Sequence, residues 1–182
     1  VITLTRNTIE LDEQAAQADI ETIERDGRTQ TIGVIELPAF YADFNAANAG
    51  NDDYRSTTRD VAALLRSDKL ADIDGLIIDL RGNAGGSLEE AVKLTGLFVD
   101  QGPVVQVHRS NGRREVLRDP DTGPALYDQP LAVMVDSGSA SASEIFAAAI
   151  QDYGRGLVIG DQTFGKGTVQ TLIGLDRFGV GT

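Results

Sequence analysis

A turn rich in small residues carries the side chains with the clearest chemical potential in this sequence. It follows an apolar strand at 131–135 and contains four serines, at positions 137, 139, 141 and 143. Ser141 directly precedes the apolar stripe of a predicted helix, where unpaired N–H groups and the positive end of the helix dipole can stabilise an oxyanion. Ser141 is therefore a candidate nucleophile, although the periodicity alone is explained as simply by serines that cap the helix.

A candidate base follows 25 residues after Ser141. Lys166 stands in Thr163-Phe-Gly-Lys-Gly-Thr168 with a glycine on each side, which is unusual for a solvated surface lysine. A lysine serves as a general base when desolvation lowers its pKa, and Ser-Lys pairs are a known variant of the catalytic triad. The single histidine, His108, lies in an alternating strand pattern and is interpreted as solvated. We therefore predict that Ser141 and Lys166 form a catalytic pair.

Gly85 and Gly86 form a second turn of interest, between a predicted buried strand and a predicted helix. Backbone N–H groups at such a turn bind anions, so this turn is able to supply the second half of an oxyanion hole. It is equally well explained as a tight turn that requires positive φ angles, and the two interpretations are compatible.

The lysine segment also suggests nucleotide binding. Residues 160–168 come close to the P-loop pattern, but Gly167 stands where that pattern requires Ser or Thr for magnesium. The residues that follow are predicted as a strand rather than a helix. Nucleotide binding is therefore the weaker hypothesis.

The composition argues against several classes of function. The chain has 182 residues, 41% of them hydrophobic, which is enough for one domain with its own core. A formal net charge of −12 disfavours nucleic acid and anionic membranes as partners. There is no cysteine, and one histidine with scattered carboxylates makes a poor metal site, so no metal or other cofactor is predicted. No apolar run approaches the ~20 residues of a membrane span.

Strand and helix patterns place both turns at the same edge of a sheet. Apolar strands at 75–80, 131–135 and 157–159 alternate with helices at 88–99 and 141–152, which predicts βαβ units and a largely parallel sheet. Ligands bind beyond the carboxyl ends of such strands, where both turns lie. The other predicted elements are strands at 1–5, 8–11 and 169–173, hairpins at 18–37 and 104–117, a polar loop at 45–53 and a helix at 56–70.

Four motifs resemble, in order, those of the C-terminal processing peptidases. They are Ile32-Gly-Val-Ile-Glu-Leu-Pro-Ala-Phe-Tyr41, Asp79-Leu-Arg-Gly-Asn-Ala-Gly-Gly86, Ser139-Ala-Ser-Ala-Ser-Glu-Ile-Phe146 and Thr163-Phe-Gly-Lys-Gly-Thr-Val-Gln170. The resemblance covers nearly the whole chain. It implies an α/β fold of the crotonase and Clp-protease type, with a core of βαβ units and an added β-hairpin region.

The resemblance also implies an activity. It is that of a serine endopeptidase that acts on proteins or peptides with apolar C-terminal tails, in the periplasm or cell envelope. The catalytic dyad falls on Ser141 as nucleophile and Lys166 as general base. Gln170 matches a glutamine that orients the lysine in related members.

Other residues receive supporting roles from the same resemblance. The oxyanion donors would be the N–H groups of Ala142 and of one glycine, Gly85 or Gly86. Asp152 matches an aspartate that is a third catalytic member in the tail-specific branch of the family. Eleven residues of helix separate it from Ser141, which places the two roughly 16 Å apart. We therefore expect Asp152 to support the site rather than to relay a proton.

The family also carries a PDZ domain that gates the site, and no PDZ-like pattern is found here. We expect the chain to be an excised piece, with connector strands at 1–30 that follow a PDZ domain in cis and a peptidase core at 31–182 that is cut before its C-terminal end. The sequence leaves the oligomeric state undetermined. The alternative function is a peptide- or ligand-binding module without turnover, which has no reason to keep Ser141, Lys166 and Gln170 together.

Overall fold

A computed structural model describes residues 15–51 and 53–170. Their strands are β1 (Gln17–Arg25), β2 (Arg28–Glu36), β3 (Gly75–Asp79), β4 (Pro103–His108), β5 (Arg114–Arg118), β6 (Leu131–Val135) and β7 (Leu157–Gly160). Their α-helices are α1 (Phe44–Asn48), α2 (Thr57–Leu65), α3 (Leu88–Gly96) and α4 (Ala142–Asp152). The strands predicted at 1–5 and 8–11 lie outside the described residues, and so does most of the strand predicted at 169–173.

Five strands form one mixed sheet in the order β1-β2-β3-β6-β7. β1 and β2 are the predicted first hairpin and pair antiparallel around Asp26 and Gly27, which both have positive φ. From β2 onward the neighbouring strands run parallel, with Leu76 of β3 opposite Leu131 of β6. The predicted βαβ core with a largely parallel sheet is therefore confirmed.

The central strands contribute most of the core. Leu76 and Ile78 of β3 and Val133 of β6 are at most 1% exposed, as expected for parallel strands that are covered on both faces. α3 and α4 pack against each other. Phe146 of α4 meets Phe98, just after α3, with ring centroids 5.7 Å apart. The two helices that follow β3 and β6 are thus anchored in the same core as the strands.

A separate two-stranded antiparallel sheet consists of β4 and β5. It is the second predicted hairpin, and it packs against α3 and α4. The α/β fold class with an added hairpin region is confirmed. None of the helices in the described part of the chain is long and apolar enough to cross a membrane.

One predicted helix has the wrong length. The helix predicted at 56–70 ends at Leu65, and a 3-10 helix, Asp68–Leu70, follows it. The hydroxyl of Ser67 donates to the carbonyl of Leu64 at 2.6 Å. Such a bond to the last turn competes with helix continuation, which explains the early end.

The prediction of a plain loop at 45–53 is also wrong. α1 forms a short helix at its start. The Asp43 carboxylate accepts from the Ala46 N–H at 2.9 Å and so caps this helix. One side-chain hydrogen bond thus stabilises a short helix in a sequence whose composition is typical of loops.

Candidate active site

The turns that follow β3 and β6 lie side by side, because these strands are parallel neighbours. The Ala140 N–H donates to the Asn83 carbonyl at 3.0 Å. The Asp136 carboxylate joins the same turns by accepting from the N–H groups of Gly82 and Gly138, each at 2.9 Å. The Gly82 bond, with those from its own turn, holds the pKa of Asp136 below its ordinary value. The two predicted turns therefore form one connected unit.

Ser141 has an unusual backbone conformation at the start of α4. Its φ is 58° and its ψ is −112°. Ser56 and Ser87, by contrast, cap α2 and α3 in the extended conformation that is normal for an N-cap. A positive φ at a non-glycine residue costs on the order of 1–3 kcal/mol, and α/β-hydrolases expose their nucleophilic serine on a strained strand-to-helix turn of this kind. The conformation fits a nucleophile better than an ordinary cap.

Ser141 lies on the wall of a cleft of about 770 Å³. Six of the predicted site residues line this cleft, namely Gly85, Gly86, Ser141, Ala142, Lys166 and Gln170. The rest of the wall is mainly apolar and consists of Ala39, Phe40, Tyr41, Ala42, Phe44, Ser87, Leu88, Ile145, Thr168 and Val169. The cleft therefore combines a reactive edge with an apolar surface.

The other serines of the turn do not line the cleft. Ser139 and Ser143 are fully buried. The Ser139 hydroxyl donates to the carbonyl of Leu80 at 2.7 Å, and the Ser143 hydroxyl donates to that of Asn83 at 2.9 Å. The serine at 137 is exposed. Of the four, Ser141 is the one in a position to meet a substrate in the cleft.

Gly85 and Gly86 both require glycine. Their φ angles are 100° and 143°. A Cβ on Gly85 would lie 2.6 Å from the Ala140 carbonyl oxygen and 2.9 Å from the Ala142 nitrogen. A Cβ on Gly86 would overlap the carbonyl of Phe40. The interpretation as a tight turn with positive φ is confirmed, and the turn is also in close contact with the start of α4.

The N–H groups of the two glycines are not equivalent. The Gly85 N–H donates to Asn83 Oδ1 at 2.8 Å. The N–H groups of Gly86 and Ala142 donate to no acceptor within residues 15–51 and 53–170. Both of these residues line the cleft, so their N–H groups are candidate donors to an oxyanion.

Glu144, for which no role was predicted, joins the lysine loop (residues 161–170) to α4. Its Oε2 accepts from the N–H groups of Ser141 at 2.8 Å and Lys166 at 3.0 Å. Its Oε1 accepts from the Gly165 N–H at 2.6 Å and the Thr163 hydroxyl at 2.8 Å. Burial raises the pKa of this carboxyl, but the hydrogen bonds outweigh burial and leave it below its ordinary value. The Ser-x-x-Glu spacing is a capping-box signal that would have identified it.

Lys166 has a fixed backbone and an exposed side chain. Its Nζ makes no hydrogen bond or ion pair with the described residues, and so none with Ser141. Gln170 is exposed on the same cleft. The structure thus brings the predicted nucleophile, base and orienting residue to one cleft without a hydrogen bond between the hydroxyl and the amine.

Asp152 is the predicted site residue that does not line the cleft. It is exposed and is the last residue of α4, whose 11 residues span about 16 Å. His108 also lies away from the cleft. It is exposed on β4, where its Nε2 accepts from Arg114 Nε at 2.9 Å, as the prediction of a solvated strand histidine requires.

Comparison with known proteins identifies the family of this chain. The model of peptidase family S41 matches residues 31–181. The tail-specific protease of Haemophilus influenzae is 44% identical over 170 residues, which cover 93% of this chain and 22% of that protein. The carboxy-terminal-processing protease of Bartonella bacilliformis is 40% identical over 128 residues, which cover 70% of this chain and 29% of that protein. The solved structure of the photosystem II D1 C-terminal processing protease is similar, with a TM-score of 0.63 and 28% identity, and the match covers 88% of this chain and 40% of that one.

The chain spans between about a fifth and a third of the length of these two curated relatives. The family model nevertheless covers most of the chain, and it includes both turns, α4 and the lysine loop. As the four motifs predicted, the chain belongs to peptidase family S41.

Proposed function

We propose that this chain forms the catalytic core of a serine endopeptidase that cleaves proteins recognised by an apolar C-terminal tail. Ser141 is the nucleophile and Lys166 is the general base. The observation that carries the proposal is the shared cleft: Ser141, strained at the start of α4, borders it together with Lys166, and Glu144 binds the backbones of both. Membership of a peptidase family supports the same chemistry.

The reaction proceeds in two halves. Ser141 Oγ attacks the carbonyl carbon of the scissile peptide, and the neutral Nζ of Lys166 takes the hydroxyl proton. The N–H groups of Ala142 and Gly86 hold the oxyanion that forms. When the C–N bond breaks, Lys166 gives its proton to the leaving amine and an ester remains on Ser141. Lys166 then takes a proton from a water molecule that attacks the ester. As the bond to Ser141 Oγ breaks, Lys166 returns this proton to the serine, which releases the new carboxyl end and restores both residues.

This mechanism requires an uncharged lysine. Lys166 is exposed on the cleft, where a bound substrate would cover it. Gln170 is proposed to orient the amine from the same cleft. Asp152 is proposed to support the structure around α4, because the length of that helix separates it from Ser141.

The walls of the cleft support a preference for apolar tails. Phe40, Phe44, Ile145 and Val169 line it, and burial of apolar surface stabilises binding by about 25 cal/mol per Å². The names of the relatives, tail-specific and carboxy-terminal-processing protease, agree with recognition of that end of a substrate. We further propose that a PDZ domain in cis presents the tail in the whole protein, and that the protein works in the periplasm or cell envelope.

The proposal is tested by substituting the two reactive residues in the whole protein. Ser141→Ala and Lys166→Ala should each lower kcat for a peptide with an apolar C-terminus by at least about 10³-fold. Lys166→Arg should be as inactive, because an arginine stays charged and cannot accept the proton. The control is Ser137→Ala, which alters an exposed serine of the same turn away from the cleft and should cleave normally. Turnover retained in either alanine variant at 141 or 166 would show that the dyad is wrongly assigned.

The second candidate function is a peptide- or ligand-binding module without turnover. The absence of a hydrogen bond between Lys166 Nζ and Ser141 within the described residues favours it. Calorimetric titration separates the two functions. A pure binding module would bind the peptide with the same Kd in the wild type and in Ser141→Ala, and neither protein would cleave it.

A further inference from the structure

We propose that Asn83 is a positioning residue of the oxyanion site: its buried amide engages the Gly85 N–H, and the Gly86 N–H is left to face the oxyanion. The inference rests on the proposed peptidase function. It concerns a residue that does not itself line the cleft, and whose role is therefore to orient the groups that do.

Asn83 is fully buried, and its polar groups join three segments. Its Nδ2 donates to the carbonyl of Leu37, just after β2, at 2.7 Å, and its Oδ1 accepts from the Gly85 N–H at 2.8 Å. Its backbone carbonyl accepts from the Ala140 N–H at 3.0 Å and from the Ser143 hydroxyl at 2.9 Å. Through its side chain and its backbone carbonyl, Asn83 thus connects the end of β2, the turn at Gly85 and Gly86, and the turn that precedes α4.

These bonds determine the direction of the Gly86 N–H. The Gly85 carbonyl accepts from the Phe40 N–H at 3.0 Å, so the two polar groups of Gly85 are held on either side by Asn83 and Phe40. The Gly85 carbonyl and the Gly86 N–H belong to one trans peptide unit, in which they point in opposite directions. With the carbonyl aimed at Phe40, the Gly86 N–H must point away from it.

Glycine needs such a constraint because it has no Cβ to restrict its backbone. Without the bond to Asn83 the peptide unit before Gly85 is free to turn, since glycine adopts positive and negative φ with similar ease. The next peptide unit, which carries the Gly86 donor, would then be held by the Phe40 bond alone, so this donor would move with respect to the Ala142 donor. Oxyanion donors act through their fixed placement, so a displaced donor lowers kcat much more than it weakens substrate binding.

Asn83→Asp is the informative substitution, because it keeps the shape of the side chain. The carboxylate has no hydrogen to donate to Leu37, and its second oxygen repels the Leu37 carbonyl, so the side chain leaves the position from which it accepts the Gly85 N–H. We expect kcat at pH 8 to fall about 10²-fold, with KM within about threefold of the wild type. Burial raises the pKa of this new carboxyl. Lowering the pH protonates it and restores the donor, so kcat relative to the wild type should recover about tenfold by pH 5.5.

Thr95→Val provides the matched control. Thr95 is also fully buried, and its hydroxyl donates to the Ala91 carbonyl at 2.8 Å inside α3, away from the cleft. The substitution should lower the melting temperature, while kcat stays within about twofold of the wild type at both pH values. A kcat for Asn83→Asp close to that of the wild type overturns the inference. An equal fall in kcat in Thr95→Val would also overturn the inference.

A second measurement is independent of catalysis. Amide hydrogen exchange, followed by NMR, should find the Gly85 N–H protected in the wild type and unprotected in Asn83→Ala, while the Gly86 N–H exchanges fast in both. An unprotected Gly85 N–H in the wild type would overturn the inference whatever the activity. A wild type that does not cleave, or a Ser141→Ala variant that does, counts instead against the proposed function.

Discussion

Replacing Glu144 with glutamine should loosen the lysine loop from α4 while the fold remains intact. In the wild type each carboxylate oxygen serves two donors: Oε2 binds the N–H groups of Ser141 and Lys166, and Oε1 binds the Gly165 N–H and the Thr163 hydroxyl. A carboxamide has one accepting oxygen and one NH₂ group. The substitution therefore turns one of the two acceptor positions into a donor.

The loss is smallest when the NH₂ group takes the Oε1 position, because the Thr163 hydroxyl can then rotate and accept from it. The Gly165 N–H loses its partner, and the bonds from Ser141 and Lys166 are no longer assisted by charge. One lost and two weakened bonds amount to about 2–3 kcal/mol. Water recovers part of this, since Gly165 and Lys166 are exposed. A net loss of about 1–2 kcal/mol corresponds to roughly a 5- to 30-fold fall in kcat/KM.

The assay is kcat/KM for a peptide with an apolar C-terminus, with the melting temperature measured alongside. Glu89→Gln is the control, because Glu89 is in the first turn of α3, pairs with Lys93 at 2.7 Å and has a side chain that is 65% exposed. Its loss should cost no more than about 0.5 kcal/mol of stability and leave kcat/KM unchanged. An unchanged kcat/KM in Glu144→Gln, or equal losses in the two variants, would refute the reasoning.

The same carboxylate should make the wild type sensitive to acid. Burial raises the pKa of Glu144, but the bonds led by the Ser141 N–H outweigh burial and lower it from 4.5. The unfolded chain therefore binds the proton first as the pH falls. The stabilisation by Glu144 is complete above the ordinary pKa and is lost as the pH falls through the lowered one. In Glu144→Gln, the acid side of the stability profile should be less steep.

Two further substitutions test the walls of the site. Gly86→Ala should lower kcat about 10²-fold in the peptide assay. The φ of Gly86 is 143° and the new Cβ would meet the Phe40 carbonyl, so the turn must shift. A normal kcat would exclude this turn from the oxyanion site. Tyr41→Phe removes a hydroxyl that donates to Asp60 at 2.6 Å and accepts from the Ala16 N–H at 3.0 Å. Urea denaturation should record a loss of about 2 kcal/mol in the free energy of unfolding, and a loss near zero would mean that water replaces both bonds.

The sheet could be predicted from the sequence because its signals are local. The runs at 75–80 and 131–135 are continuously apolar, as central parallel strands are when both faces are covered. Asp26-Gly27 is a dipeptide that favours hairpin turns, and it joins β1 to β2. Burial pattern and turn chemistry together were enough to derive the fold class.

The short helical segments could not be predicted in the same way, because single hydrogen bonds decide them. α1 depends on the Asp43 carboxylate, in a stretch whose Asn and Gly content is typical of loops. α2 ends where the Ser67 hydroxyl binds the Leu64 carbonyl, although the apolar pattern continues beyond it. In both cases the free energy of one side-chain hydrogen bond is similar to that of the backbone preference with which it competes.

The residues of the candidate site also differ in whether the sequence predicts them. The position of Ser141 follows from the apolar stripe that begins just after it, so it could be predicted. The Ser-x-x-Glu spacing indicates that Glu144 caps α4. No local pattern reports that the side chains of Glu144 and Asn83 bind partners up to 22 and 46 residues away. Gly85 and Gly86 are adjacent and both have positive φ, so these properties do not show which of them is the oxyanion donor. What distinguishes them is the bond from the Gly85 N–H to Asn83.

The strained conformation of Ser141, the proposed nucleophile, depends on the lysine loop. Gly85 lies so close that a Cβ there would be 2.8 Å from that of Ser141, and on the other side Glu144 accepts the Ser141 N–H. The strain costs on the order of 1–3 kcal/mol, and a charge-assisted bond to one N–H offsets a similar amount. The carboxylate that provides this bond is also held by the loop that carries the base. Without the loop, Ser141 would lose part of what keeps it from the extended conformation of Ser56 and Ser87. The proposed base and the proposed nucleophile therefore depend on each other through one side chain.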